Sequence, residues 1–153
     1  MQLDDVVNNV LQFCADIAQE KQIQLVCNIH KMTIDANQRL LEQALKNLVE
    51  NAIKYSKNQT KITISTTMDD HTLSIHVQDE GPGIAAEHMD QLFQRFYRID
   101  SARSREMGGT GLGLAIVKHI AIAHSGWTSV TSQVGCGSTF SIHIPRLKAL
   151  LPG

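Results

Sequence analysis

Asn47, Glu50, Asn51, Lys54 and Tyr55 fall within three turns of one segment, and two glycine-rich stretches follow it. The first is Asp79-Glu80-Gly81-Pro82-Gly83-Ile84 and the second is Gly108-Gly109-Thr110-Gly111-Leu112-Gly113-Leu114. Amide oxygens are hard ligands suited to Mg²⁺, which commonly reaches a protein through one or two groups plus substrate phosphates. A lysine ammonium neutralises phosphate as a point charge, and a carboxylate at Glu50 can orient or deprotonate a nucleophile. Glycines ahead of a helix let the backbone approach a ligand and leave N–H groups aimed at one point, where the dipole favours an anion. Ionised Asp79 only accepts hydrogen bonds, so it suits the exocyclic amine of adenine and disfavours the carbonyl of guanine. These residue types describe a purine nucleotide, with its base near the first glycine loop and its phosphates near the second.

Each motif also has a plainer reading. A polar helix face suits solvent, Asp-x-Gly suits an ordinary turn, and aromatics in a loop suit the core. The second run is harder to explain that way, because four glycines in six residues are costly in chain entropy. It matches neither a P-loop nor a GxGxxG after the first strand, so those two nucleotide folds are excluded. Gly135-Cys136-Gly137-Ser138-Thr139-Phe140 reads as a hairpin turn, with Thr139 a further candidate to face the ligand.

The elements follow from hydrophobic spacing. At about 100° per residue, Asn51, Lys54, Glu50 and Tyr55 lie within roughly 80° of Asn47, while Leu41, Leu45, Leu48, Val49 and Ala52 share the opposite arc. The helix that carries them is predicted to start at an Asp35 N-cap and to end near Lys57. Before it come an amphipathic helix over 3–22, carrying Val6, Val7, Val10, Leu11, Cys14, Ile17 and Ala18, and a strand over 23–29.

After it come a hairpin of strands 61–67 and 72–78, then a short helix over 87–93. A segment with Phe93, Phe96, Tyr97 and four arginines (95, 98, 103 and 105) reads as a lid over about 94–111. A second core helix over 111–125 carries Leu112, Ile116, Ile120 and Ala123 on one stripe. A closing hairpin pairs 127–133 with 138–145. The expected fold class is α+β, a two-layer sandwich. It has a mostly antiparallel five-stranded sheet covered on one face by three helices.

The 153 residues suit one domain, with a core over about 3–145 and a tail over 146–153. Fourteen basic against fifteen acidic residues leave a net charge of -1, which argues against nucleic acid or direct membrane contact. Neither a membrane span nor a signal peptide is visible, and three scattered cysteines without a CxxC fit a reducing cytosol. Buried or half-buried hydrophobic roles are expected for Cys14, Cys27 and Cys136.

Taken in order, the motifs resemble the N, G1, F, G2 and G3 boxes of the catalytic and ATP-binding domain of sensor histidine kinases. The wider family, sharing the Bergerat fold, includes DNA gyrase B, the heat-shock protein of ninety kilodaltons and MutL. The likeness spans about 3–145. The stretch from Phe96 to Arg105, running into Gly108 to His119, is similar to phosphate-regulon sensor kinases. The resemblance implies ATP and Mg²⁺ as cofactors, and transfer of the γ-phosphoryl group to a histidine.

By the same resemblance, Glu50 is the catalytic carboxylate that helps activate the acceptor histidine. Asn51 is the Mg²⁺ ligand, Asn47 a phosphate- or metal-shell amide and Lys54 a phosphate contact. Tyr55 stacks near adenine, Asp79 accepts its amine, and Gly81, Gly83 and Ile84 line the base pocket. Tyr97 lies in the lid, and Arg98 and Arg103 fall where lid arginines reach phosphates. Gly109, Thr110, Gly111, Leu112, Gly113 and Leu114 form the phosphate-side loop.

The chain departs from the family pattern at His124-Ser125-Gly126, where many members carry His-Gly-Gly. None of the seven histidines has the acidic residue and nearby proline that mark the family's phosphoacceptor. The acceptor is therefore expected on a separate dimerisation and histidine-phosphotransfer domain of the parent. Phosphate would pass onward to a response regulator, of phosphate-regulon type on the resemblance. The domain is expected in the cytoplasm, with the parent a bacterial inner-membrane sensor. The competing readings are a nucleotide-binding regulatory module without catalysis, and a serine kinase of the anti-sigma-factor type.

Overall fold

A computed structural model describes residues 1–94 and 113–146. Over those residues the chain runs α1 (Leu3–Glu20), β1 (Gln24–Asn28), α2 (Gln38–Tyr55), β2 (Lys61–Met68) and β3 (Thr72–Gln78). A 3₁₀ helix (Ala86–Gln91) follows, then α3 (Gly113–Ala123), β4 (Trp127–Gln133) and β5 (Gly137–Pro145). The strands form one sheet in the order β1-β2-β3-β5-β4. Strands joined by short turns pair antiparallel, as the spacing predicts, but β1 pairs parallel to β2. The sheet is mixed because β1 reaches β2 through α2, and a crossover helix brings the chain back in the same direction.

α1 buries Leu3, Val6, Val7, Val10, Cys14 and Ala18, while α2 buries Leu41, Ala44, Leu45, Leu48, Val49, Ala52 and Ile53. They pack on Ile62, Ile64, Leu73, Ile75, Val77, Phe140, Ile142 and Ile144, the inward residues of alternating strands. In α3 the buried residues are Ala115, Val117, Ile120 and Ala121, with Leu114 and Ile116 half-buried against the core. Ala123 is exposed, so the stripe expected there is rotated. α3 is wedged on α2 as well as the sheet, and it therefore buries a wider face than a single stripe.

The N-cap of α2 differs from the expected one, and its C-terminus has a cap from outside the helix. Asn37, not Asp35, caps α2, with its side chain accepting from the Leu40 N–H at 3.0 Å. The C-terminus of α2 is closed by Lys21, just beyond α1. Its Nζ donates to the carbonyls of Ile53 at 2.6 Å, Lys54 at 3.2 Å and Ser56 at 2.6 Å. A cation on the last carbonyls satisfies orphan acceptors and complements the helix dipole. Of the cysteines, Cys14 is buried as expected, but Cys27 and Cys136 are exposed, on an edge strand and a hairpin tip.

The sheet face turned from the helices carries polar side chains in two chains of hydrogen bonds. His76 lies between Thr67 Oγ1 at 2.8 Å and Ser141 Oγ at 2.6 Å. His143 lies between Ser74 Oγ and Ser129 Oγ, both at 2.7 Å. Trp127 stacks on His143 with ring centroids 4.9 Å apart. Among the described residues no helix is long and apolar enough to cross a membrane. The lid lies outside the described residues except for Gln94, and so does the tail except for Arg146.

Replacing Lys21 with methionine keeps the stem and removes the charged donor. We expect a loss of about 1.5–3 kcal/mol in urea unfolding, the range for hydrogen bonds to charged groups. An unchanged midpoint and slope would show that the three carbonyls do as well with water.

Candidate functional site

α2 divides as its sequence predicts. Asn47, Glu50, Asn51, Lys54 and Tyr55 are half-buried on the side away from its leucines. Asn47 Nδ2 lies 3.4 Å from the Gly113 carbonyl, so the amide-bearing face meets the end of the second glycine run at the start of α3. A Cβ at Gly113 would meet nothing within 4 Å, so packing among the described residues does not require glycine there. Glu50 Oε1 stands 4.0 Å from Lys46 Nζ, one helical turn away. It also faces α1: the Cys14 thiol is pushed up to about 11, first by burial and then by the Glu50 charge.

Asp79 is 6% exposed at the end of β3. Its Oδ1 accepts from the Gly81 N–H at 2.9 Å and the Ser138 N–H at 3.2 Å, while Oδ2 accepts no hydrogen bond among the described residues. Burial raises its pKa above the usual carboxylate value, and the two N–H donors oppose that. One oxygen is thus held by the backbone, and the other is left as an acceptor for a ligand donor.

Glycines close the surroundings of Asp79. A Cβ on Gly81 would stand 2.9 Å from the Tyr55 carbonyl oxygen, so the end of α2 and the first glycine loop touch backbone to backbone. Gly83, at φ +78°, lies against the Gln133 carbonyl, and the Pro82 carbonyl accepts from the Gly135 N–H at 2.7 Å. Gly137, at φ +90°, lies against the Asp79 carbonyl. Any larger residue at these places strikes main chain, which cannot swing away. Ile84 is half-buried against the core beside this joint. Phe93 packs edge-on to Phe140 at 6.0 Å, so this aromatic belongs to the core.

Thr139 falls on the outer sheet face, opposite Gln78, because it alternates with the inward Ser138 and Phe140. The residue that meets Asp79 is Ser138, which the sequence reading passed over for its neighbour. Ser132 and Lys21 were also missed. A strand serine and a lysine after a helix carry no local signal, since each acts on main chain distant in sequence. Strand parity, Phe140 being inward, was the one clue available for Ser138. Tyr97, Arg98, Arg103, Gly109, Thr110, Gly111 and Leu112 lie outside the described residues.

Among the described residues no three His, Cys, Asp or Glu side chains form a cage for a metal. Asn47, Asn51 and Glu50 are nevertheless all half-buried on α2, and Mg²⁺ carried by a triphosphate needs only one or two such oxygen donors. The donor set fits that ion.

The chain belongs to the family of histidine kinase-, DNA gyrase B- and HSP90-like ATPases, whose model matches residues 36–148. Within that family its relatives are sensor histidine kinases. It is 51% identical over 107 residues to the sensor-like histidine kinase SenX3 of Mycolicibacterium smegmatis, covering 70% of this chain and 28% of that protein. It is 39% identical over 137 residues to the phosphate regulon sensor protein PhoR of Pseudomonas aeruginosa, covering 84% and 31%. The chain thus spans less than a third of the length of these relatives. Full-length ShkA, solved in complex with AMPPNP, superposes with a TM-score of 0.84 at 27% identity, over 95% of this chain and 30% of that one.

The raised Asp79 pKa has a fixed sign. Its favourable contribution to folding is complete below the unfolded value, about 3.9, and is lost as pH rises through the higher folded value. Asp79→Asn keeps the oxygen that accepts both N–H groups and removes the buried charge. Without nucleotide, the variant is expected to be more stable than wild type at pH 7, with the advantage shrinking as pH falls towards 4. Urea titrations at several pH values measure this, and a variant less stable at pH 7 would refute it.

Proposed function

We propose that this chain is the ATP-binding, phosphoryl-donating domain of a two-component sensor histidine kinase. Family membership supports the class, and the single observation that carries the nucleotide reading is Asp79. One of its oxygens is fixed by two backbone N–H groups and the other is left as an acceptor. Asp79 reads the exocyclic amine of adenine, beside Tyr55, Gly81, Gly83 and Ile84. Lys54, and Arg98 and Arg103 with Tyr97 from the lid, attend the phosphates. The amides from Gly109 to Leu114 receive the phosphate oxygens. The contact of Asn47 with Gly113 supports this division, because it joins the amide face of α2 to the second glycine run.

Asn51, with Asn47 behind it, would hold Mg²⁺, which when bound supplies charge neutralisation on the triphosphate. Phosphoryl transfer asks mainly for positioning and charge, and these residues offer both. Glu50 would take or orient the proton of an attacking imidazole. That imidazole lies on a dimerisation domain of the parent, and a response regulator is the onward acceptor. The parent is a membrane sensor and this domain works on its cytoplasmic side. The likeness to PhoR supports a phosphate-type regulator as the finer reading.

Calorimetric titration with ATP and GTP tests the base reading. The wild type should prefer ATP, and Asp79→Ala should lower ATP affinity about ten- to a hundredfold with little change for GTP. Equal affinities in the wild type would end the assignment.

Phosphoryl transfer is tested by adding the parent's dimerisation domain with labelled ATP. Glu50→Gln should slow transfer about 100- to 10,000-fold while ATP binding is largely kept. An unchanged rate would remove Glu50 from catalysis. Acid-stable label would point to serine rather than histidine.

A further inference from the structure

The hydroxyl of Ser132, on β4, is met by three separate segments. The N–H of Ile84 in the first glycine loop donates to Ser132 Oγ at 2.7 Å. The Gly137 carbonyl lies 2.9 Å from that oxygen and Ser138 Oγ lies 2.8 Å from it. A serine hydroxyl has one proton and two lone pairs, and a carbonyl only accepts. The Ser132 proton therefore goes to Gly137, and its lone pairs take the Ile84 N–H and the Ser138 proton. The opposite polarity would set lone pairs against each other across the Ser132–Gly137 contact. Ser138 commits its only hydroxyl proton in this way, so towards any other group its oxygen accepts.

Ser138 also holds the carboxylate. Its N–H donates to Asp79 Oδ1 at 3.2 Å, and its carbonyl accepts from the Asp79 N–H at 2.9 Å. One oxygen atom thus links the pocket wall at Ile84 to Asp79 through Ser138. We propose that Ser132 is a positioning residue for purine selection, and this rests on the ATP reading of the same pocket. It contacts no nucleotide itself. It fixes Ile84 relative to Asp79, and it keeps the Ser138–Asp79 edge free of side-chain donors. Such an edge favours a base that presents an amine and repels one that presents a carbonyl.

The readout is the ratio of ATP to GTP affinity, which a purely structural residue would leave unchanged while weakening both. Titrations of the whole chain compare wild type with Ser132→Ala and Ser132→Thr. The ratio should fall about tenfold or more in Ser132→Ala, while the threonine hydroxyl keeps it near the wild-type value. If Ser132→Ala fails to fold, Ser132→Cys keeps the shape with a weak donor and should show the same fall. An unchanged ratio in Ser132→Ala or Ser132→Cys, with or without equal weakening for both nucleotides, overturns the role of Ser132. A wild type that does not prefer ATP would instead overturn the parent reading, and this role with it.

Discussion

A buried carboxylate is tolerated only where its charge meets fixed donors, and at Asp79 those donors are main-chain N–H groups from two segments. Holding them in place requires the segments to touch, which they do at three glycines. Gly81 lies against the end of α2, Gly83 against the end of β4, and Gly137 against Asp79 itself. At each the nearest atom is main chain, which cannot swing aside as a side chain could. The conformational freedom lost at these glycines on folding is the cost, and a carboxylate oriented before any ligand arrives is the gain.

The electrostatics follow from that joint. Solvent is withdrawn from Asp79, which raises its pKa, while the two N–H groups pull the other way. A group poised between these effects is worth more to a ligand donor than to the empty fold. Lys21 plays the corresponding part at the same end of α2, where one ammonium gathers the carbonyls of Ile53, Lys54 and Ser56. The helix that carries the site's polar residues is therefore fixed at its last turn by charge and along its length by leucines.

The sequence made the layers and most elements legible, because periodicity reports which face an element buries. The wheel of α2 separated Asn47, Glu50, Asn51 and Lys54 from the leucines, and the structure has the same division. Boundaries were less legible. Asn37 rather than Asp35 caps α2, two good cap residues standing two apart, and only the position of the first turn decides between them. The parallel pairing of β1 was hidden because a crossover helix leaves no mark in either strand. Ser132, Ser138 and Lys21 escaped because their partners are backbone atoms distant in sequence. Thr139 was preferred to Ser138 by motif, whereas strand alternation places Thr139 on the other face. Gly81 and Gly83 were read as lining a ligand pocket and Gly137 as part of a hairpin turn, yet at all three the close neighbour is the protein's own main chain.

The chain has a single tryptophan, and it lies flat on His143 at the margin of the face turned from the helices, 50% exposed. Its emission is governed by that imidazole and by water, on a strand at the sheet's edge. Indole fluorescence in this protein therefore reports whether the β4–β5 pairing is intact. Its spectroscopic signal follows the opening of an edge strand and the protonation of a histidine.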